Sequence, residues 1–389
     1  MNLLLSVLFS FLAPIHSGNS SLALNAVVAP PVGEKIAPIN RMTVFAKAEK
    51  APTAIEINQK MATGFNLGNT FDGSQNSAEF TKVRPLIDLY RSAGMKHIRI
   101  PVTWMEGFTD NLADSSGNLN KKNPRLKQLE KTVDYCLKNG MVVMINAHHE
   151  RWLKNNYDGS QSFKSRFSNL WTGIANEFKN RSSNLIFEVL NEPEGNLGDW
   201  NHALKPSDPL ALTRTREVNQ LGYDAIRRTG GSNSTRVVVV APNGLGNQSM
   251  FKQVYPSRAE LPGAGKDPFV MVSVHTYDPW VFCGDNGTLA AHPSDDEIRK
   301  PILEVAAHAA ELGVAVNYGE FGVGRRERYE ERDTDVVRNY YRTVRQTALS
   351  KNMSVTPWDD RGWFGLVKPT ADGKFKFVFD IVPSMMRGS

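Results

Sequence analysis

The sequence predicts one (β/α)8 barrel, an α/β fold with a single large domain, and three observations carry that prediction. Short apolar or β-branched runs alternate with amphipathic helical stretches as far as the C-terminus, the pattern of βα units feeding a parallel sheet. Eight such runs can be drawn, and a barrel of that kind commonly needs about 250 residues or more, which the 389 residues accommodate with an N-terminal extension to spare. Finally, Gly64, Gly68 and Gly73 lie within or just beyond the first run and miss the dinucleotide fingerprint, which argues against an open doubly wound sheet.

From the N-terminus, Leu3 to Ile15 is apolar apart from Ser6, Ser10 and Pro14, and is too short to span a bilayer as a helix. Small and polar residues follow from Ser17 to Ala23, so residues 1–23 read as a secretory signal, although no Lys or Arg precedes the apolar run. Residues 24–55 carry Pro30, Pro31, Pro38 and Pro52 and show no sustained period, which reads as a linker or disordered arm leading to a globular domain at 56–389. The strands expected there are Ala62 to Asn69, His97 to Trp104, Met141 to His149, Leu185 to Pro193, Arg236 to Asn243, Phe269 to Tyr277, Ala315 to Phe321 and Ser354 to Asp359.

Helical faces lie between them. Phe80, Val83, Ile87 and Tyr90 share one face, Leu126, Leu129, Val133 and Leu137 the next, and Phe163, Phe167, Leu170, Ile174 and Phe178 a third. Val218, Leu221, Ala225 and Ile226 repeat the pattern, as do Ile298, Ile302, Val305 and Ala309, and then Val337, Tyr340, Val344 and Ala348. Two places are weak: Asn247 to Tyr255 holds only a short helix, and Ile381 to Met386 is barely a turn and a half, so a truncated closure is an alternative.

Composition narrows the function classes. Hydrophobic residues at 41% and charged residues at 22% match ordinary globular usage, which argues against a disordered chain or a membrane bundle. The charge of +6 comes from 46 basic and 40 acidic residues, and the densest basic cluster, Arg325, Arg326 and Arg328, is diluted by Glu327, Glu330 and Glu331; no nucleic-acid partner is expected. Cys136 and Cys283 have neither metal-site nor disulfide spacing. Asn-x-Ser/Thr sequons begin at Asn19, Asn180, Asn233, Asn247, Asn286 and Asn352, and matter only in a eukaryotic host.

Chemistry is expected at the C-terminal ends of the strands, where polar residues ending an apolar run are candidates for function. The first run ends Asn66-Leu67-Gly68-Asn69, the second carries Arg99 and ends at Trp104, and the third ends His148-His149-Glu150. Asn191-Glu192-Pro193 ends the fourth, His275-Thr276-Tyr277 the sixth, Glu320 lies at the end of the seventh, and Trp358 precedes Asp359 in the eighth. Glu188 lies four residues before Glu192, deeper on the same side, where a paired structural carboxylate is the expectation. His148, His149 and Glu150 would also make plausible zinc ligands, but adjacent residues of a strand point to opposite faces, so no metal is expected.

These motifs resemble glycoside hydrolase family 5, the cellulase family in the clan of retaining (β/α)8 hydrolases. The resemblance rests on Gly64-Phe65-Asn66-Leu67-Gly68-Asn69-Thr70, Ile98-Arg99-Ile100-Pro101-Val102-Thr103-Trp104, His148-His149-Glu150, Phe187-Glu188-Val189-Leu190-Asn191-Glu192-Pro193, Val274-His275-Thr276-Tyr277, Gly319-Glu320-Phe321-Gly322 and Trp358-Asp359, from about Gly64 to Asp359. It implies Glu192 as acid/base and Glu320 as nucleophile. It also implies that His275 bonds or tunes a catalytic carboxylate, and that His148, with His149 beside it, contacts the sugar next to the scissile bond. Arg99 and Tyr277 are candidates for holding Glu320 ionised, Asn191 for orienting a sugar 2-hydroxyl, and Asn66 for support. Trp358 reads as a sugar-stacking platform that Trp104 and Trp280 extend along a groove.

The function expected is a secreted, extracellular or periplasmic endo-β-1,4-glucanase that is monomeric, needs no cofactor, and acts on β-linked polysaccharide or oligosaccharide with no membrane association once the signal is removed. A β-mannanase or xyloglucanase of the same family is the nearest alternative, with the Asp278 to Pro293 loop as the expected place of difference. An inert carbohydrate-binding barrel is disfavoured because both carboxylates are present.

Overall fold

A computed structural model describes residues 50–387; the expected signal segment and all but the last residues of the expected arm lie outside the described residues. Eight parallel strands form the sheet: β1 Gly64–Asn66, β2 His97–Ile100, β3 Val142–Asn146, β4 Leu185–Glu188, β5 Val238–Val240, β6 Val270–Thr276, β7 Ala315–Phe321 and β8 Ser354–Val355, in sequential order. The ends of the sheet meet where Val355 N donates to Ala62 O at 2.9 Å and Asn66 N to Pro357 O at 3.1 Å. Closure is therefore made largely by residues just outside the ladder. Six of the strands are two to five residues long, shorter than the sequence suggests, because the backbone then leaves the sheet to build the loops of the mouth, whereas β6 and β7 run seven residues and β7 has the expected bounds.

Period-two alternation sorts the strand residues. Val143, Ile145, Leu185, Phe187, Val238 and Val240 join the large core under the helices. Val142, Met144, Ile186, Val239, Met271 and Ala315 form a separate inner cluster with Ala54, Ile57 and Met61. Those last three belong to α1 (Ala54–Met61), which covers the N-terminal end of the barrel. Its start is fixed by a capping box between Thr53 and Glu56. Residues 54 and 55, placed in the arm by the sequence reading, are the start of α1, and the Thr-x-x-Glu signal for that start was present in the sequence.

The outer layer contains α2 (Phe80–Ser92), α3 (Pro124–Lys138), the four-residue α4 (Arg151–Lys154), α5 (Gln161–Glu177), α6 (Pro209–Arg228), the short α7 (Phe251–Val254) and α8 (Trp280–Cys283), α9 (Asp295–Leu312), α10 (Asp335–Leu349) and α11 (Ile381–Met386). The six long helices coincide with the six amphipathic faces expected, and α7 and α11 are the short elements at the two weak places. A hairpin of β9 (Val367–Pro369) and β10 (Phe375–Phe377) lies between β8 and α11 and has no counterpart in the sequence reading. No described helix is long and apolar enough to cross a membrane.

Candidate active site

Above the apolar inner cluster, the barrel interior turns polar. Arg99 is wholly buried and its guanidinium reaches four residues at the ends of three other strands. Its Nε donates to Glu188 Oε2 at 2.8 Å and its Nη2 to Asn191 Oδ1 at 2.6 Å. Nη1 donates to Asn66 Oδ1 at 2.9 Å and to Glu320 Oε1 at 2.8 Å. Burial works against the charge on Arg99, but Glu188 and Glu320 more than offset it, and the guanidinium sits above its usual range. Burial likewise pushes the Glu188 carboxyl up, yet Arg99 and a hydrogen bond from Asn146 at 2.8 Å leave it below the ordinary value. Glu188 is a paired charge beneath the site.

Glu320 lies at the mouth end of β7. A register shift between Val274 and His275 on β6 places His275 beside Glu320, a use of a bulge to re-aim side chains. Tyr277 Oη donates to Glu320 Oε2 at 2.9 Å, and His275 Nδ1 lies 2.9 Å from Glu192 Oε1 and 3.8 Å from Glu320 Oε2. Oxygens of Glu192 and Glu320 and a nitrogen of His275 all fall within 4.8 Å of one another. Glu192 has a positive φ of 42°, a conformation that costs energy and clusters at functional sites.

The two carboxyls are perturbed unequally. Burial pushes Glu192 up to about 7, with Lys154 and Arg99 pulling the other way. Glu320 is also raised by burial and by the charge of Glu192, so Arg99 and Tyr277 moderate its shift and do not cancel it. A proton shared by the pair belongs on Glu192, because Glu320 accepts two hydrogen bonds that favour its charged form. Burial lowers His275 to about 4, which keeps it neutral at pH 7; with Nδ1–H donated to Glu192 Oε1, Oε2 is left to carry the acid proton.

At β3, Asn146 is oriented by accepting from Val102 N at 3.0 Å while its amide nitrogen donates to Glu188, so that nitrogen also faces His148 Nδ1 at 3.2 Å. His148 Nδ1 is then an acceptor and Nε2 bears the hydrogen. The Asn191 amide nitrogen, 3.4 Å from Nε2, consequently faces a donor, and is available to a substrate hydroxyl. His149 is partly exposed on the same wall. Glu150 turns away from both imidazoles to accept from Trp104 N at 2.6 Å and Trp152 Nε1 at 2.7 Å. The third member near the two histidines is instead Asp72, whose Oδ2 lies 3.8 Å from His148 Nε2 and 3.9 Å from His149 Nε2. Both separations are longer than a hydrogen bond, and Asp72 Oδ2 has no hydrogen-bond partner among the described residues.

Trp358 lies parallel to His148, rings 5.9 Å apart, and forms a wall of the cleft. Trp280 is 59% exposed on the β6 side of the same cleft, whose volume is about 820 Å³. Trp104 corrects the sequence reading: it is wholly buried, with Nε1 donating to Asn146 O at 2.8 Å, and offers no face to a sugar. It lies past the end of β2, where strand alternation no longer tells inside from outside. Asn66 is also buried, and its amide nitrogen donates to Gly319 O at 2.8 Å, which ties β1 to the strand of the second carboxylate.

Sequence reasoning missed Trp200, 45% exposed on the cleft rim with Nε1 anchored to Gly244 O at 3.1 Å. Its signal was an aromatic in the polar, Gly-containing loop after Asn-Glu-Pro. Phe364, also on the cleft, packs edge-on against Tyr277 with ring centroids 5.4 Å apart.

The family model "Cellulase (glycosyl hydrolase family 5)" matches residues 58–361. Endoglucanase A of Clostridium longisporum is 30% identical over 306 residues, 73% of this chain and 56% of that protein, and Endoglucanase H of Acetivibrio thermocellus is 29% identical over 322 residues, 82% of this chain and 32% of that protein. The chain thus spans about a third to just over half the length of these curated relatives. Among solved structures, a GH5-4 broad specificity endoglucanase from Clostridium longisporum superimposes with a TM-score of 0.71 at 24% identity, covering 87% of this chain and 98% of that one. A GH5-4 enzyme from Ruminococcus champanellensis with bound cellotriose gives 0.70 at 22% identity, covering 87% and 99%. The residues that converge on Glu192 and Glu320 are set in a closed eight-stranded barrel, and the chain that carries them belongs to the cellulase family, glycosyl hydrolase family 5.

Proposed function

We propose that this chain is a secreted endo-β-1,4-glucanase that cleaves β-glucan with retention, Glu320 acting as nucleophile and Glu192 as acid/base. The observation that carries the reading is that carboxyl oxygens of Glu192 and Glu320 lie within 4.8 Å of each other at the floor of an open cleft. Retaining hydrolases hold their two carboxyls about 5–5.5 Å apart, whereas inverting ones need about 6.5–9.5 Å to admit a water.

In the first step a Glu320 oxygen bonds to the anomeric carbon as the glycosidic C–O bond breaks, and the leaving oxygen takes the proton of Glu192. In the second, Glu192 removes a proton from water, which displaces Glu320 and restores the original configuration. Arg99 and Tyr277 bind the two oxygens of Glu320 and stabilise the carboxylate when it leaves the sugar. The amide nitrogen of Asn191 donates to the 2-hydroxyl, Trp358 supports the apolar face of a pyranose, and Trp280 with Trp200 extends the cleft.

Proton NMR during hydrolysis of a cello-oligosaccharide tests the mechanism: the β-anomer appears first, and first appearance of the α-anomer overturns it. Reducing-sugar assays on carboxymethylcellulose, barley β-glucan, xyloglucan, mannan and xylan test the substrate, and inactivity on every glucan rules the glucanase reading out. The Clostridium longisporum structure is described as broad specificity, which keeps xyloglucan and mannan as second substrates. Secretion is supported by the apolar run Leu3 to Ile15, and a monomer is checked by size-exclusion chromatography.

A further inference from the structure

Two residues beyond the acid/base, Glu194 makes a contact that the mechanism above does not use. Lys154, the last residue of α4, is 1% exposed, and its Nζ lies 3.3 Å from Glu194 Oε1. A lysine this deeply buried is rare unless paired. The backbone around it is fixed as well. Gly195 has a φ of 59°, and a Cβ there would meet Lys154 O at 2.9 Å and Asn155 Oδ1 at 2.8 Å, so the turn after Glu192 lies directly on α4. Glu192 itself has a left-handed φ of 42°, which the surrounding contacts must maintain.

We propose that the ion pair of buried Lys154 with part-exposed Glu194 is a positioning device for the acid/base, clamping the Glu192–Gly195 turn onto α4 and keeping a fixed positive charge that acts on the Glu192 carboxyl. The proposal rests on the reading of Glu192 as acid/base. The other charged and titratable groups around that carboxyl come from other elements: His275 and Tyr277 from β6 and its end, Glu320 from β7, Arg99 from β2 and Glu188 from β4. Arg99 is already committed to two carboxylates, Glu188 beneath the site and Glu320 within it. Lys154 has Glu194 as its partner, and the charge of Glu194 acts on Glu192 in the opposite sense. Among the charges acting on Glu192 that of Lys154 is the largest, favouring the ionised form against burial. A positive charge there stops the acid from becoming too weak to release its proton to the leaving group, and helps it act as the base in the second step.

The pH profile of kcat/KM on a soluble β-glucan tests the clamp. With Lys154→Met the alkaline limb moves up, by on the order of half a pH unit or more, and Lys154→Arg leaves it near the wild-type position. Glu194 is 27% exposed, so Glu194→Gln can be made independently should Lys154→Met fail to fold, and it moves the same limb down. A folded Lys154→Met, or in its absence a folded Glu194→Gln, with an unmoved alkaline limb overturns the proposal. The underlying reading fails separately if Glu192→Gln hydrolyses β-glucan at the wild-type rate.

Discussion

A glutamate ordinarily titrates near 4.5, and the barrel mouth moves its two central carboxyls by different routes. Burial dominates at Glu192, raised to about 7, while Glu320 has Arg99 and Tyr277 as direct donors. Replacing Glu320 by Gln keeps its shape and removes the attacking charge. Turnover should fall by about a thousandfold or more, while calorimetry finds cello-oligosaccharide affinity nearly intact; a variant as fast as wild type removes the nucleophile role. Other buried groups predict stability against pH. Burial raises Asp72 and Glu150 to about 7 as well. A carboxyl raised in the folded state contributes stability present below its unfolded value and lost as pH rises through about 7. Burial lowers His97 to about 4 and His149 to about 3. Those groups contribute stability present above about 6.5 and lost as pH falls through their folded values, so the two sets oppose each other between about pH 4 and 7. Glu150→Gln removes one carboxyl from that balance: the difference in melting temperature, variant minus wild type, should be more favourable to the variant at pH 7.5 than at pH 5.

At the scale of elements, each strand delivers one face inward and its terminal loop decides what that face becomes. The loop after β1 shows how tight the fit is. A Cβ on Gly68 would lie 2.8 Å from the Trp358 indole and 2.9 Å from Asp359 O, and the second of these is backbone that cannot yield cheaply. Gly68→Ala is expected to displace Trp358 from its wall and raise KM by about tenfold, with overpacking costing about 1–3 kcal/mol of stability by chemical denaturation. Unchanged KM would show that Trp358 does not support the sugar. The helical faces were legible in the sequence because a 3.6-residue period over fifteen or so residues is hard to mimic. The short α4 was not, since four residues carry no period, although it supplies the lysine that faces Glu194.

For the whole molecule, closure and function meet in Arg99, whose hydrogen bonds reach residues at the ends of β1, β4 and β7. Arg99→Met leaves Glu188 buried without its cation, and should cost roughly 3–5 kcal/mol in denaturant unfolding as well as activity; a loss of activity alone would make its role local. The proposed mechanism uses two carboxyls and an imidazole bonded to one of them, so prolonged chelation should leave the rate on β-glucan unchanged, and a loss restored by a divalent cation would refute the metal-free reading.

The amino-acid sequence by itself determined the eight-unit alternation, the six long helices and the strand ends that carry Arg99, Asn191, Glu192, His275, Tyr277 and Glu320. These follow from local periodicity and from position along a strand, which the chain order encodes directly. Only the tertiary structure decided that Trp104 is interior while Trp200 faces the cleft, that Asp72 and not Glu150 approaches the two histidines, and that Lys154 is buried beside the turn that follows Glu192. All of these sit in or next to loops beyond the sheet, where no repeating period relates sequence position to direction, and burial depends on which segments, distant in the chain, the closed barrel brings together.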